Sequence, residues 1–236
     1  MQPPLDPRSQ TARDNFLKLG VAISPIPAAE DKEAWRVDQN AGDTTQLEHL
    51  DSFLEACQLA LNTGPRDEQL IDRRLPSILS GAFAKVKRAH LRTEDNDTPT
   101  TDRRPHLYGQ QRLLANVVHE GKAEHVRTTV DYTLVYGRRN RMAVNLVIIK
   151  ENSLDVQDKT WEALTAMGTI QRQKKTHGDN TAIYGIHTNS YEWHFLHLGA
   201  GGEYSALKLF WDTDKSRIIA LLEKICKQAI DLAVNN

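Results

Sequence analysis

VDYTLVYG (130–137), MAVNLVIIKEN (142–152), TWEALTAMGTIQRQKK (160–175) and TAIYGIHTN (181–189) follow one another in this chain, and their order decides the fold. The first stretch is β-rich and alternating, with an acid, Asp131, at its start. The second is a nearly unbroken apolar run from Met142 to Ile149, as expected of a strand covered on both faces, and it ends in Lys150-Glu151. Arg138, Arg139, Asn140 and Arg141 read as the polar connection of a hairpin between the two. In the third stretch Trp161, Leu164, Met167 and Ile170 recur at helical spacing, and the fourth is again an apolar strand.

Downstream, residues 192–198 and 205–211 are strand-like, with Gly199, Ala200, Gly201 and Gly202 turning the chain between them. Residues 214–234 form an amphipathic helix carrying Ile218, Leu221, Leu222, Ile225, Ile230 and Leu232. Upstream, Leu113, Leu114, Val117 and Val118 predict a helix over 108–119. Residues 93–106 are polar and acidic and read as a loop. Two helices precede it, over 45–62 and 67–91; Thr63-Gly64-Pro65 stops the first, and Pro76 predicts a break or kink in the second. Residues 1–43 hold five prolines and few apolar residues, so an extended segment laid on the surface is expected. The expected organisation is therefore an extended segment (1–43), a helical region (44–92), a loop (93–106) and a core (107–236). The fold class is α/β (α+β): a mixed β-sheet flanked by helices, with an N-terminal helical extension.

A chain of 236 residues is long enough for one full core plus an extension. Its formal net charge is −1, so attraction to nucleic acid would need a local patch rather than the charge of the whole chain. The two cysteines, Cys57 and Cys226, lie far apart in helical patterns, which argues for core thiols in a reducing compartment rather than a disulfide framework or a zinc site. No apolar run approaches a membrane span, and the N-terminal residues lack the apolar region of a secretory signal. An intracellular protein of cytoplasm or nucleus, with no membrane partner, is the expectation.

The four quoted stretches together resemble the core of the PD-(D/E)XK nuclease fold, most closely its fungal nuclease-like branch. That branch shows an Asp-Tyr strand, a strand ending in Glu-x-Lys, a following helix, and a Tyr-Gly-Ile-x-Thr strand. The resemblance covers residues 107–233. It implies metal-assisted phosphodiester cleavage, in which Mg2+ or Mn2+ neutralises the phosphate and activates water. Asp131 matches the first acid and Lys150 the lysine. The second acid belongs two residues before the lysine, where alternation places both on one face; here that residue is Ile148, which binds no metal.

Two rescues are open. Glu162, in the helix after Lys150, would be a migrated ligand, so that Asp131 and Glu162 hold the metal and Lys150 assists. Alternatively, Glu151 would reach the site from a slipped strand end. Glu120 or Glu124 is a further contributor, because the family often carries an acid on the helix before the Asp131 strand. Each residue also has an ordinary reading: a hydrogen-bonding Asp, a solvated Lys ending a strand, and an acid favoured by the dipole at a helix start. His194 and His197 read as sheet residues rather than ligands.

Basic clusters end the second helix (85–92), fill the hairpin (Arg138, Arg139, Arg141) and end the helix after Lys150 (Lys174, Lys175). Cations at helix ends are explained by the dipole alone; convergence of the last two clusters would make a phosphate-binding surface. Two functions stand: a catalytically inactive nuclease-fold module that binds nucleic acid or a protein partner, or an active Mg2+-dependent nuclease.

Overall fold

Residues 7–21, 24–37, 45–62, 67–93, 105–137, 143–151, 159–176 and 182–235 are described in a computed structural model of the chain. Their elements run α1 (Pro7–Lys18), β1 (Ser24–Pro25), α2 (Lys32–Trp35), α3 (Thr45–Leu61), α4 (Glu68–Thr93), β2 (His106–His119), β3 (Lys122–Tyr136) and β4 (Ala143–Lys150), followed by α5 (Thr160–Thr176), β5 (Ile183–Thr188), β6 (Glu192–Leu198), β7 (Glu203–Phe210) and α6 (Trp211–Asn235). The strands form one mixed sheet in the order β1-β7-β6-β5-β4-β3-β2. β4 and β5 are parallel, as a crossover through α5 requires, and β1 lies parallel to β7; the other neighbours are antiparallel.

Helices cover both faces. On one, Ala163, Met167 and Ile170 of α5 and Phe16 and Leu19 of α1 pack against Val130, Val147, Ile149 and Leu196. On the other, Leu75, Ile78, Leu79 and Phe83 of α4 and Ile218, Leu222 and Ile225 of α6 cover Leu134, Leu146, Ile148, Ile186 and Phe195. Each helix buries residues three and four apart, so amphipathic spacing delivers one apolar stripe to the sheet. β4 and β5 lie in the middle of the sheet, which explains their continuous apolar runs.

Several expectations need correction. Residues 108–119 form β2, not a helix. The paired spacing of Leu113/Leu114 and Val117/Val118 fits a helix, yet Leu113, Ala115 and Val117 also alternate toward the α5 side. Glu120 and Gly121, both at positive φ (50° and 75°), close the β2–β3 hairpin as a two-residue turn. The N-terminal segment is not simply extended: residues 7–18 are helical, and Phe16 is fully buried beneath α5. Among the described residues of this segment, only Ser24 and Pro25 pair as a strand, at the sheet edge. α4 runs unbroken through Pro76, and its apolar face packs into the core on the sheet. Most of the expected 93–106 loop and the 138–141 hairpin connection lie outside the described residues.

Candidate functional site

β4 ends at Lys150, beside β3 on one side and β5 on the other, with Lys150 paired to Thr188. Alternation along β4 sends Leu146, Ile148 and Lys150 toward the α4 face and Val147 and Ile149 toward the α5 face. Lys150 therefore extends its ammonium to the carboxylate of Asp72, in the second turn of α4. Burial by itself lowers the Lys150 pKa; the hydrogen bond and charge of Asp72, then Asp131 and Tyr132, outweigh it and leave the pKa raised. The raised pKa favours the protonated ammonium beside Asp72.

Asp131 lies deep within β3, not at its start. Val126 and Val130 face α5, whereas Tyr132 and Leu134 face α4, and Leu113 and Leu107 of β2 switch in the same way. The change of face falls at the Gln110–Asp131 step, where Gln110 takes a positive φ (26°) and no ladder pair forms. There the Asp131 carboxylate folds toward β4 and accepts the Lys150 backbone N–H at 2.7 Å, two residues beyond the last β3–β4 pair, Tyr132 with Ile148. Tyr132 borders the same cluster. Its phenol pKa is raised, chiefly by burial; Lys150 opposes this, and Asp131 and Asp72 reinforce it.

The other predicted acids lie elsewhere. Glu162 is in the first turn of α5, and α5 packs on the face opposite the Lys150 side chain. Glu151 alternates to that same opposite face and is paired with Lys159 at 2.9 Å. Glu120 is a turn residue and Glu124 a β3 residue salt-bridged to Lys18 at 2.8 Å; neither ends a helix before the Asp131 strand. The acid that does come from the preceding helix is Asp72. Its sequence signal was an acid beside Arg73-Arg74 in an otherwise apolar helical pattern, which looks like an ordinary solvated position.

A divalent cation does not fit this donor set. The position needed for a second strand acid is Ile148, 0% exposed in the core. The Asp131 carboxylate is bonded to the Lys150 N–H, and Asp72 is bonded to the Lys150 ammonium. Among the described residues, no group of three or more His, Cys, Asp or Glu side chains is arranged to hold a metal ion.

Of the predicted basic surface, only the Lys174 side chain lies among the described residues. Lys174 is 5% exposed, with its ammonium 5.6 Å from the centre of the Tyr136 ring. Arg172 donates to the Leu19 carbonyl at 2.8 Å, and Lys85 pairs with Glu223 at 2.9 Å. Arg138, Arg139 and Arg141, and the side chain of Lys175, lie outside the described residues. His194 and His197 are β6 residues, paired with Glu192 (2.5 Å) and Asp31 (2.8 Å). Both cysteines are free thiols, and burial pushes Cys226 up to about 12. Among the described residues, no helix is long and apolar enough to cross a membrane.

No family model matches this chain, and no curated protein matches it. A solved structure described as "Crystal structure of SSO0001" aligns over 95% of this chain and 86% of that one, at 10% identity and a TM-score of 0.25, a likeness too low to carry an argument.

Proposed function

We propose that this chain is a catalytically inactive module with a PD-(D/E)XK-like core, used for binding rather than cleavage. In chain order, α4, the β2–β3–β4 meander, α5 and β5 place Asp131 and Lys150 on neighbouring strands of one sheet, which supports the resemblance. The observation that carries the inactive reading is the pairing of Lys150. Its ammonium is paired with Asp72, its backbone N–H is held by Asp131, and a buried isoleucine stands where the resemblance calls for the second strand acid. A protein partner is favoured over nucleic acid, because among the described basic residues Lys174, Arg172 and Lys85 are engaged within the fold. Phe53, Ala56, Leu59 and Ala60 form an exposed strip on α3, with Leu59 83% exposed, the kind of surface a protein partner covers.

The competing reading, an Mg2+- or Mn2+-dependent nuclease, draws on the convergence of Asp72 and Asp131 on Lys150. One experiment decides between them. Purified protein is incubated with DNA or RNA and either metal, beside Asp131→Ala and Asp72→Ala. The inactive reading expects no cleavage by any of the three proteins. Metal-dependent cleavage that disappears in Asp131→Ala overturns it. Nucleic-acid binding is measured in parallel against salt, where each neutralised duplex phosphate contributes a log–log slope of about −0.9.

A further inference from the structure

Arg74 stands two residues beyond Asp72 on α4 and faces the turn between β5 and β6. It is only 7% exposed. Its guanidinium carbon lies 4.3 Å from the centre of the Tyr191 ring and 4.8 Å from that of Trp211. Nε donates a long bond, 3.4 Å, to the Ser190 carbonyl, and Nη2 is buried without any hydrogen-bond partner. A guanidinium is always charged and is rarely buried without an acceptor, since burial removes its hydration and nothing replaces it. The neighbouring acids leave this need unmet. Asp51 is held by Lys215 at 2.6 Å, and Asp212 acts on Arg74 through its charge without a hydrogen bond to Nη2.

Arg74 lines a pocket of about 390 Å³ beneath α3, with Leu54, Leu70, Tyr191 and Trp211 among its walls. The turn that carries Tyr191 is built rigidly. The Asn189 side chain accepts the Tyr191 and Glu192 N–H groups at 3.0 and 2.8 Å, Trp193 Nε1 donates to the Ser190 carbonyl at 3.0 Å, and Ser190 holds a positive φ of 70°. The Trp211 N–H closes onto the Tyr191 carbonyl at 2.7 Å. Such walls are set before any ligand arrives, which lowers the ordering cost of binding. The pocket also adjoins the carboxyl end of β5, which runs parallel to β4, where α/β sheets commonly take their ligands.

We propose that this pocket binds a carboxylate, one oxygen of which accepts the orphaned Arg74 Nη2 hydrogen bond while the rest of the ligand lies against Leu54, Leu70 and Trp211. The lining sets Asp51, Glu55 and Asp212 beside the cations Arg74 and Lys215, so a single carboxylate is repelled less than a polyphosphate. The site goes beyond the inactive-module reading and stands whether or not the Lys150 cluster cleaves phosphodiesters. Carboxylates come from two sources, a free organic acid or an acidic side chain of a protein partner.

The test is a titration of full-length protein with N-acetylglutamate and, separately, with an end-blocked peptide containing one glutamate. Tryptophan fluorescence and the Arg74 Nε–Hε NMR signal report binding. A saturable response is expected to at least one probe, absent with the matching glutamine amide, and weakened at least about tenfold in Arg74→Met. A stronger response to the free acid identifies a small-molecule site; a stronger response to the peptide identifies a partner's acidic side chain. No saturable response to either carboxylate overturns the proposal, as does an equal response to the amide or an unchanged affinity in Arg74→Met. Should Arg74→Met fail to fold, the NMR signal of the unmodified protein and the acid–amide comparison decide alone.

Discussion

Lys150 donates to two acids that come from different elements, its N–H to Asp131 and its ammonium to Asp72. Asp131→Ala leaves a strand N–H without its acceptor and is expected to cost about 1–3 kcal/mol in urea unfolding. Asp131→Asn keeps an acceptor and should cost clearly less. Ile148→Glu places a carboxylate among Leu146, Ile186 and the α4 face. It is expected to destabilise the fold by about 3–5 kcal/mol in the same measurement, because the buried charge has no partner. Asp31 makes a prediction in pH. Burial alone would raise its pKa, but hydrogen bonds from Ser205 and His197 and the charge of His197 leave it below 3.8. A depressed acid contributes stability above its unfolded pKa and loses that contribution as pH falls through the folded one. Asp31→Asn should therefore lower stability at neutral pH and flatten the acid limb of the stability curve below about pH 4, read from unfolding midpoints across pH.

At the scale of elements, α1 and the β2–β3 hairpin differ most from expectation. The hairpin was legible in principle. Glu120-Gly121 is a two-residue turn signal, and Val117-Val118 favours strand; the helical spacing competed because a 14-residue strand has room to satisfy both periods in part. α1 was harder to find. Its one fully buried core aromatic, Phe16, lies in a polar segment, and the partner that buries it, α5, is more than 140 residues away in sequence. Phe16→Ala is expected to cost about 3–5 kcal/mol, as for other buried aromatics. A loss under about 1 kcal/mol in chemical denaturation would instead mean that α1 is only laid on the surface. Gly168 on α5 carries the same contact from the other side: an added Cβ would meet Leu19 Cδ1 and Phe16 Cε2 at 3.1 Å.

At the scale of the whole molecule, α4 and α6 form one layer, α1 and α5 the other, and the sheet lies between. Residues 107–236 alone would expose the Leu134, Leu146 and Ile186 face where Leu75, Ile78, Leu79 and Phe83 now pack. That fragment is expected to aggregate or to lack a cooperative thermal transition, whereas the full chain should unfold in a single main transition, checked by calorimetry of both. What the amino-acid order determined by itself was local and periodic. It specified the strands and helix of 130–188, the amphipathic C-terminal helix, and the mixed α/β class. Those properties follow from side-chain alternation and spacing along one segment. Tertiary structure alone decided which acid meets Lys150, on which face of the sheet Glu162's helix lies, and that Arg74 Nη2 is buried without an acceptor. Each of these depends on an approach between segments far apart in the chain, such as the Lys150–Asp72 pair across 78 residues, and no local period encodes such an approach.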